Sequence, residues 1–198
     1  TCRGDGNSQL TVDLQLAGNY SDMIPYGTSQ GRLFDDMSML LAYGVPNLRI
    51  EAQVGLRNDG QYSSEEPFLV GHSIDIKNAV MALDFGRLAL TAGRYRHADI
   101  VQSPYSLFIS SAAGPALAVE MKYEDEHFIY LSRWIQLNYQ STLSLPLPGS
   151  PTWPDRGMNY KVYGLKFGDV RFGLQDSIVY VGRSFDAEVF LSPMFQYL

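Results

Sequence analysis

Apolar and polar residues alternate with a period of two along much of this chain. Leu10, Val12, Leu14 and Leu16 are interleaved with Thr11, Asp13, Gln15 and Ala17. Met37, Met39, Leu41 and Tyr43 repeat the pattern, and Leu48, Ile50, Ala52, Val54 and Leu56 oppose Arg49, Glu51, Gln53, Gly55 and Arg57. Leu88, Leu90 and Ala92 oppose Ala89, Thr91 and Gly93; Leu117, Val119, Met121 and Tyr123 oppose Ala118, Glu120 and Lys122; Val170, Phe172 and Leu174 oppose Arg171, Gly173 and Gln175. Successive side chains of a strand point to opposite faces, so each stretch predicts a strand with one apolar and one polar row.

Three further stretches are β-like but less regular. Residues 72–85 carry Ile74 and Ile76, then change phase near Lys77-Asn78; one inserted residue would return Met81, Leu83 and Phe85 to the same face. In 128–139, Ile129, Leu131, Arg133, Ile135 and Leu137 share one face while Tyr130 and Trp134 share the other, and the alternation does not say which is apolar in effect. Residues 159–167 group Tyr163, Leu165 and Phe167, with Lys161 expected near the strand end, where its stem could snorkel.

The connections alternate in length. Gly44–Asn47, Gly86-Arg87, Glu124–His127 and Gly168-Asp169 are tight; 19–35, 58–71, 98–114 and 140–158 are long and mostly polar. An up-and-down barrel with tight turns on one rim and long loops on the other gives this parity. A soluble sandwich also alternates, with its apolar face buried. Loop parity favours the barrel, and so does the aromatic load of 13 %, since Tyr, Trp and Phe form girdles at membrane interfaces. The expected fold is therefore all-β: an antiparallel up-and-down transmembrane β-barrel of about ten strands. Residues 1–198 are expected to form one such domain, part of a larger barrel cut short at its C-terminus, where Pro193 interrupts the pattern.

Composition narrows the function. No run of 18 apolar residues occurs, so no transmembrane helix is expected. The net charge of −6 and the lack of a basic cluster argue against nucleic acid as a partner. A single cysteine, Cys2, excludes an internal disulfide. The sequence lacks a His-x-x-x-His pair and a calcium-loop pattern, so neither metal nor cofactor is expected. Among the three histidines, His97 with Asp99 is the best acid–base pair, but no spacing brings a nucleophile to it. No catalytic residue is assigned and the protein is expected not to be an enzyme.

The segments Gly93-Arg94-Tyr95-Arg96 and Ser103-Pro104-Tyr105-Ser106-Leu107-Phe108-Ile109-Ser110-Ser111-Ala112-Ala113-Gly114-Pro115 resemble the Wzi-type capsule-assembly outer-membrane barrels. So do Phe172–Tyr180 and Leu191-Ser192-Pro193. The likeness covers about the second half of the chain; Asp176 stands where the family more usually has Glu, and Gly182–Asp186 departs from it. Divergent spirochaete-type outer-membrane barrels share the same cues. The resemblance implies a non-enzymatic protein of the bacterial outer membrane, in contact with its lipid and engaged in the assembly or retention of surface polysaccharide. A porin-like solute channel and a rim-catalysing hydrolase are the competing readings.

Two sets of residues follow. The lumen-facing polar set comprises Asp13, Arg49, Glu51, Arg57, Glu120, Lys122, Arg171 and Gln175, which could brace the barrel or line a path for a solute. The ligand candidates are Arg94 and Arg96, whose guanidiniums suit carboxylates of an acidic polysaccharide, with Tyr105 and Trp153 to stack on sugar rings. Alternatively, the two arginines pair with Asp99 or Glu120 and brace the rim.

Overall fold

The computed structural model describes residues 2–3, 8–21, 32–58, 73–138, 155–183 and 185–194. Ten strands and one short helix lie within them: β1 (Cys2–Arg3), β2 (Gln9–Ser21), β3 (Arg32–Val45), β4 (Leu48–Asn58), β5 (Ser73–Asp84), β6 (Leu88–Tyr95), β7 (Ala116–Glu124), β8 (Phe128–Asn138), β9 (Arg156–Phe167), β10 (Val170–Val181) and α1 (Ala187–Leu191). Strand order follows chain order, and the pairings described are antiparallel. The chain is thus all-β and its sheet runs up and down, as the alternating pattern requires. Two compact units divide it, Thr1–Val80 and Met81–Leu198, with the division inside β5.

In the first unit the register aligns the apolar rows of three strands. Leu10, Val12, Leu14 and Leu16 stand opposite Tyr43, Leu41, Met39 and Met37. Those in turn stand opposite Ile50, Ala52, Val54 and Leu56. This apolar face is the uncovered one: Leu14 and Leu16 are 67 % and 68 % exposed, and Val12, Met39, Leu41, Tyr43, Ile50 and Val54 are also exposed. Ser38, on the other face, is buried and accepts a 3.1 Å hydrogen bond from Gln53. Asn78 donates to Glu51, which also pairs with Arg49. Asp13, Gln15 and Arg49 of the polar row are exposed as well.

Within β5 the exposed apolar positions switch from the even-numbered Ile74 and Ile76 to the odd-numbered Met81, with Phe85 just beyond the strand. That is the change of parity expected near Lys77-Asn78, taken up inside one unbroken strand.

In the second unit three tight turns lie at one end of the strands and are tied together. Phe85 N–H donates to the Leu88 carbonyl at 2.8 Å, across a turn in which Gly86 takes φ +82°. Glu124 N–H donates to Arg87 O, and Lys166 N–H to His127 O, each at 2.8 Å. At the β7–β8 turn the Asp125 carboxylate accepts from the N–H groups of His127 and Phe128, which hold its pKa below the ordinary carboxylate range. Gly168, at the β9–β10 turn, has φ +60°. The Gly44–Asn47 connection of the first unit is equally short, closing from Val45 to Leu48.

β8 and β9 differ from expectation in two ways. A register shift falls between Gln136 and Asn138, so Leu137 is an extra residue and leaves the row of Ile135. β9 begins at Arg156 rather than 159, so Lys161 lies inside the strand, fully buried, instead of snorkelling from its end.

At Gly168 an added Cβ would meet nothing within 4 Å, so a substitution there feels backbone strain alone. Gly168→Ala is expected to cost about 1 kcal/mol and Gly168→Asn less, because Asn tolerates the left-handed region. Equilibrium urea unfolding of the refolded chain measures both; equal costs for Ala and Asn would contradict this account of the turn.

Candidate functional site

The second unit presents two faces, and a different segment covers each. One face carries Glu120 and Lys122 of β7, Arg133 of β8, Tyr160 and Lys166 of β9, and Arg171 and Gln175 of β10, all brought to one side by the register. Four members of the expected lumen-facing set, Glu120, Lys122, Arg171 and Gln175, therefore do share a face. In the first unit Asp13, Arg49 and Glu51 also share a face, opposite the apolar row. Arg57 sits in β4 opposite Asp36, and its side chain lies outside what is described.

Residues 96–115 fold down onto this polar face. Ile109 packs with Ala118, Ile135, Met158, Tyr160 and Val162, flanked by Tyr95, Ala116 and Leu131. The small residues Ser110, Ser111, Ala112, Ala113 and Gly114 permit the approach, and the side chain that anchors the loop is Ile109. Four polar contacts fix it. Arg133, paired with Glu120, donates to the Ala98 carbonyl at 2.7 Å. Ile100 N–H donates to the Tyr160 hydroxyl at 3.3 Å, and that hydroxyl donates to Gln175 at 2.5 Å. His97 Nε2 lies 2.9 Å from the Ala116 carbonyl. Asp99 N–H donates to Ile109 O at 3.3 Å and closes the neck.

Asp99 organises the loop from inside. Its buried carboxylate accepts from Ser106 Oγ and from the N–H groups of Val101 and Gln102. Burial alone would raise its pKa, but these hydrogen bonds outweigh burial and hold it below the ordinary 3.8. For His97 burial is the largest influence and pushes the imidazole below its ordinary 6.5, against a smaller opposing pull from its bond to Ala116. Asp99 and His97, the pair considered for acid–base chemistry, thus spend these hydrogen bonds on the loop. Among the described residues no group of three or more His, Cys, Asp or Glu side chains could hold a metal ion.

The opposite face is apolar at Leu117, Val119, Met121, Leu165, Phe172 and Leu174, but it contains a polar island. Ser132, Asn159 and Lys161 are all 0 % exposed there. Each meets a main-chain carbonyl of the C-terminal segment. Ser132 Oγ donates to Phe190 O at 2.7 Å and Asn159 Nδ2 to Val189 O at 3.1 Å. Lys161 Nζ donates to Ser192 O at 2.6 Å and Met194 O at 3.3 Å. Tyr130 and Tyr163 donate to Ser192 O and Met194 O at 3.1 and 2.9 Å. Phe190 fills the space beside Trp134 and Tyr180, and Phe185 stands edge-on to Trp134 at 5.3 Å.

The sequence reading did not anticipate this strap. Its signal was present: Asp186 caps α1 by accepting from Val189 N–H at 3.1 Å, Glu188 occupies the first turn, and Pro193 follows the end. Arg133 and Lys166 were also missed as members of the polar face, because the apolar neighbours of Arg133 share its parity.

The ligand candidates are spread out. Arg94 is exposed near the end of β6, in register with Leu117 and so on the apolar side; Arg96 is exposed just past the strand. Tyr105, at the tip of the loop, is 91 % exposed. Trp153 lies outside the described residues. Of the bracing partners considered, Glu120 is paired with Arg133, and Asp99 accepts from Ser106.

Comparison with family models, curated proteins and solved structures finds no match, so the functional reading rests on the residues themselves.

Both titrating groups tie the loop to neutral pH. His97 binds a proton less readily in the fold, so its contribution falls as pH drops below about 6.5 toward its lowered pKa. Asp99 contributes in full above its ordinary pKa and loses its contribution as pH falls through the lowered one. The charges of Arg133 and Glu120 act on His97 in opposite directions, Arg133 lowering and Glu120 raising its pKa. The expectation is a loop that loosens in two acid steps, the first abolished by His97→Gln. NMR amide signals of Val101 and Gln102 report it; signals unchanged between pH 7.5 and pH 3 would contradict it.

Proposed function

We propose that this chain forms part of the wall of a bacterial outer-membrane β-barrel and serves, without catalysis of its own, in the assembly or retention of an acidic surface polysaccharide. The observation that carries the membrane part is the uncovered apolar face of β2–β4. Leaving a large apolar side chain exposed forgoes about 1.5–3 kcal/mol relative to burial. A continuous row of them, from Leu10 to Leu16 and across to Ile50 and Val54, is costly in water and favourable in hydrocarbon. The polar rows of the same strands then face inward, where Glu51 accepts from both Arg49 and Asn78.

The polysaccharide part rests on the rim. Arg94 and Arg96 are exposed at and just past the end of β6 away from its tight turn, and Tyr105 is exposed in the loop that follows. Arg offers a planar fork of donors that matches a uronate carboxylate, and an exposed Tyr ring can stack on a sugar. The inward fold of 96–115 favours a second reading, a porin-like solute channel, because a loop lying over Glu120 and Arg133 would narrow a lumen.

In its membrane the protein is expected to require detergent for extraction and to change mobility on gels when heated. Val54→Arg, near the middle of β4, should lower the folding stability in lipid by about 2–4 kcal/mol. Monomeric solubility without detergent would remove the membrane reading. For the rim, Arg94→Ala with Arg96→Ala in a capsulated host should reduce retained polysaccharide and weaken binding of the purified acidic glycan. Wild-type levels of both, with the protein folded, would refute the glycan role and leave the channel, which single-channel conductance tests separately.

A further inference from the structure

The loop that joins β6 to β7 lies over the polar face, and one buried side chain clasps its two stems together. The last ladder pair between these strands is Tyr95 with Ala116. Just beyond it His97, only 4 % exposed, places Nε2 2.9 Å from the Ala116 carbonyl. The outgoing stem is thus bound to the first residue of β7. A carbonyl can only accept, so in the neutral ring Nε2 carries the proton and Nδ1 is bare. Nδ1 is buried and has no hydrogen-bond partner.

The surroundings of His97 suit the neutral ring. Arg133 of β8 reaches the same stem, donating to the Ala98 carbonyl at 2.7 Å, and its charge opposes a second cation there. Glu120 of β7 favours one, but it already accepts from Arg133 at 2.5 Å. Tyr95 of β6 is uncharged and sets its ring centroid 4.1 Å from that of the imidazole. Met158 and Tyr160 of β9, packed against Ile109, are uncharged as well. Within the loop, Asp99 is turned to Ser106, Val101 and Gln102. A proton added at Nδ1 therefore creates a buried N–H without an acceptor and a buried charge in the field of Arg133. Water relieves both, so protonation favours an imidazole that has left its seat.

Seating decides what the polar face presents. From Ile100 to Pro115 the loop has no charged residue. Ile100, Val101, Tyr105 and Leu107 are exposed on it. The side chains of Arg133 and Glu120, which the loop covers, are only 12 % and 16 % exposed. Ile100 reaches as far as β10, its Cδ1 3.6 Å from where a Cβ on Gly173 would stand. The seated loop lays an uncharged, largely apolar cover over an ion pair, and apolar constrictions oppose the passage of ions.

We propose that His97 makes this loop an acid-released gate: neutral, it clasps the loop over the polar face and keeps conductance low; protonated, it frees the loop and conductance rises. The gate rests on the channel reading of the barrel given above. Asp99 does not duplicate the signal. Its hydrogen bonds keep it ionised to below its ordinary 3.8, whereas His97 responds below its ordinary 6.5, so the window between them belongs to His97.

The test records the conductance of the full chain in a planar lipid bilayer as pH is lowered from 7.5 to about 4. Over the same range the Met158 methyl signal, in phospholipid nanodiscs, reports whether Ile109 and the loop are seated. The unaltered protein is expected to show a severalfold rise in conductance together with a shift of Met158. His97→Gln, which keeps a neutral donor for Ala116, should lose the rise. His127→Gln, at the opposite end of the strands, should retain it. Asp99→Ala removes the loop's internal acceptor and should conduct at pH 7.5 as the unaltered protein does in acid. An acid rise that persists in a seated His97→Gln protein overturns the role of His97. If His97→Gln or Asp99→Ala is unseated at pH 7.5 and still conducts no more than the seated protein, the gate is overturned and the channel stands. Absence of current from every form at every pH overturns the channel reading, and the gate with it.

Discussion

A strand places alternate residues on opposite faces, so no strand of this sheet can choose its two environments independently. Once β2, β3 and β4 pair in the register that puts Leu14 opposite Met39 and Met39 opposite Val54, the apolar rows fuse into one surface and the polar rows into another. The rest follows from which surface is covered. Here the apolar side stands open, while the polar side mixes the buried Ser38 with the exposed Asp13, Gln15 and Arg49. Soluble monomers rarely leave contiguous apolar patches beyond a few hundred Å² exposed without a use for them. The proposed barrel wall would give this open apolar face its apolar medium.

The second unit obeys the same parity but closes both faces locally. A lysine in the middle of an apolar row would be expensive in hydrocarbon, and ionisable groups at such positions are usually paired or functional. Lys161 stands opposite Asp176 in register and meets two carbonyls of the strap. Ser132 Oγ and Asn159 Nδ2 beside it donate to the same backbone. On the other side Arg133 links Glu120 to the loop, so the loop is held to the sheet by charge as well as by Ile109. This sector of the sheet carries structure on both sides.

The strands and tight turns were legible because period and turn chemistry act within a few residues. Gly86, Asp125 and Gly168 mark their turns in sequence, and the phase change near Asn78 appears in exposure as it does in pattern. The site was less legible. Whether Arg133 or Trp134 joins the polar face depends on pairing with β7 and β9, which parity within β8 cannot fix. The strap was hidden for a related reason: Lys161 reads as a strand-end cation until the carbonyls of residues 189–194, some thirty positions away, reach it. The loop's fold onto the polar face, its anchor Ile109 and its internal organiser Asp99 were visible only in three dimensions.

The assignment of the apolar face to lipid is tested most directly by adjacent spin labels in β2. Leu14→Cys and Gln15→Cys, each in a Cys2→Ser background, differ by one residue and lie on opposite faces. In reconstituted outer-membrane lipid the label at 14 is expected to collide with oxygen and be shielded from a water-soluble nickel relaxant, and the label at 15 to show the reverse. Equal access of the nickel reagent to both, or its preference for 14, would contradict an apolar face set against lipid.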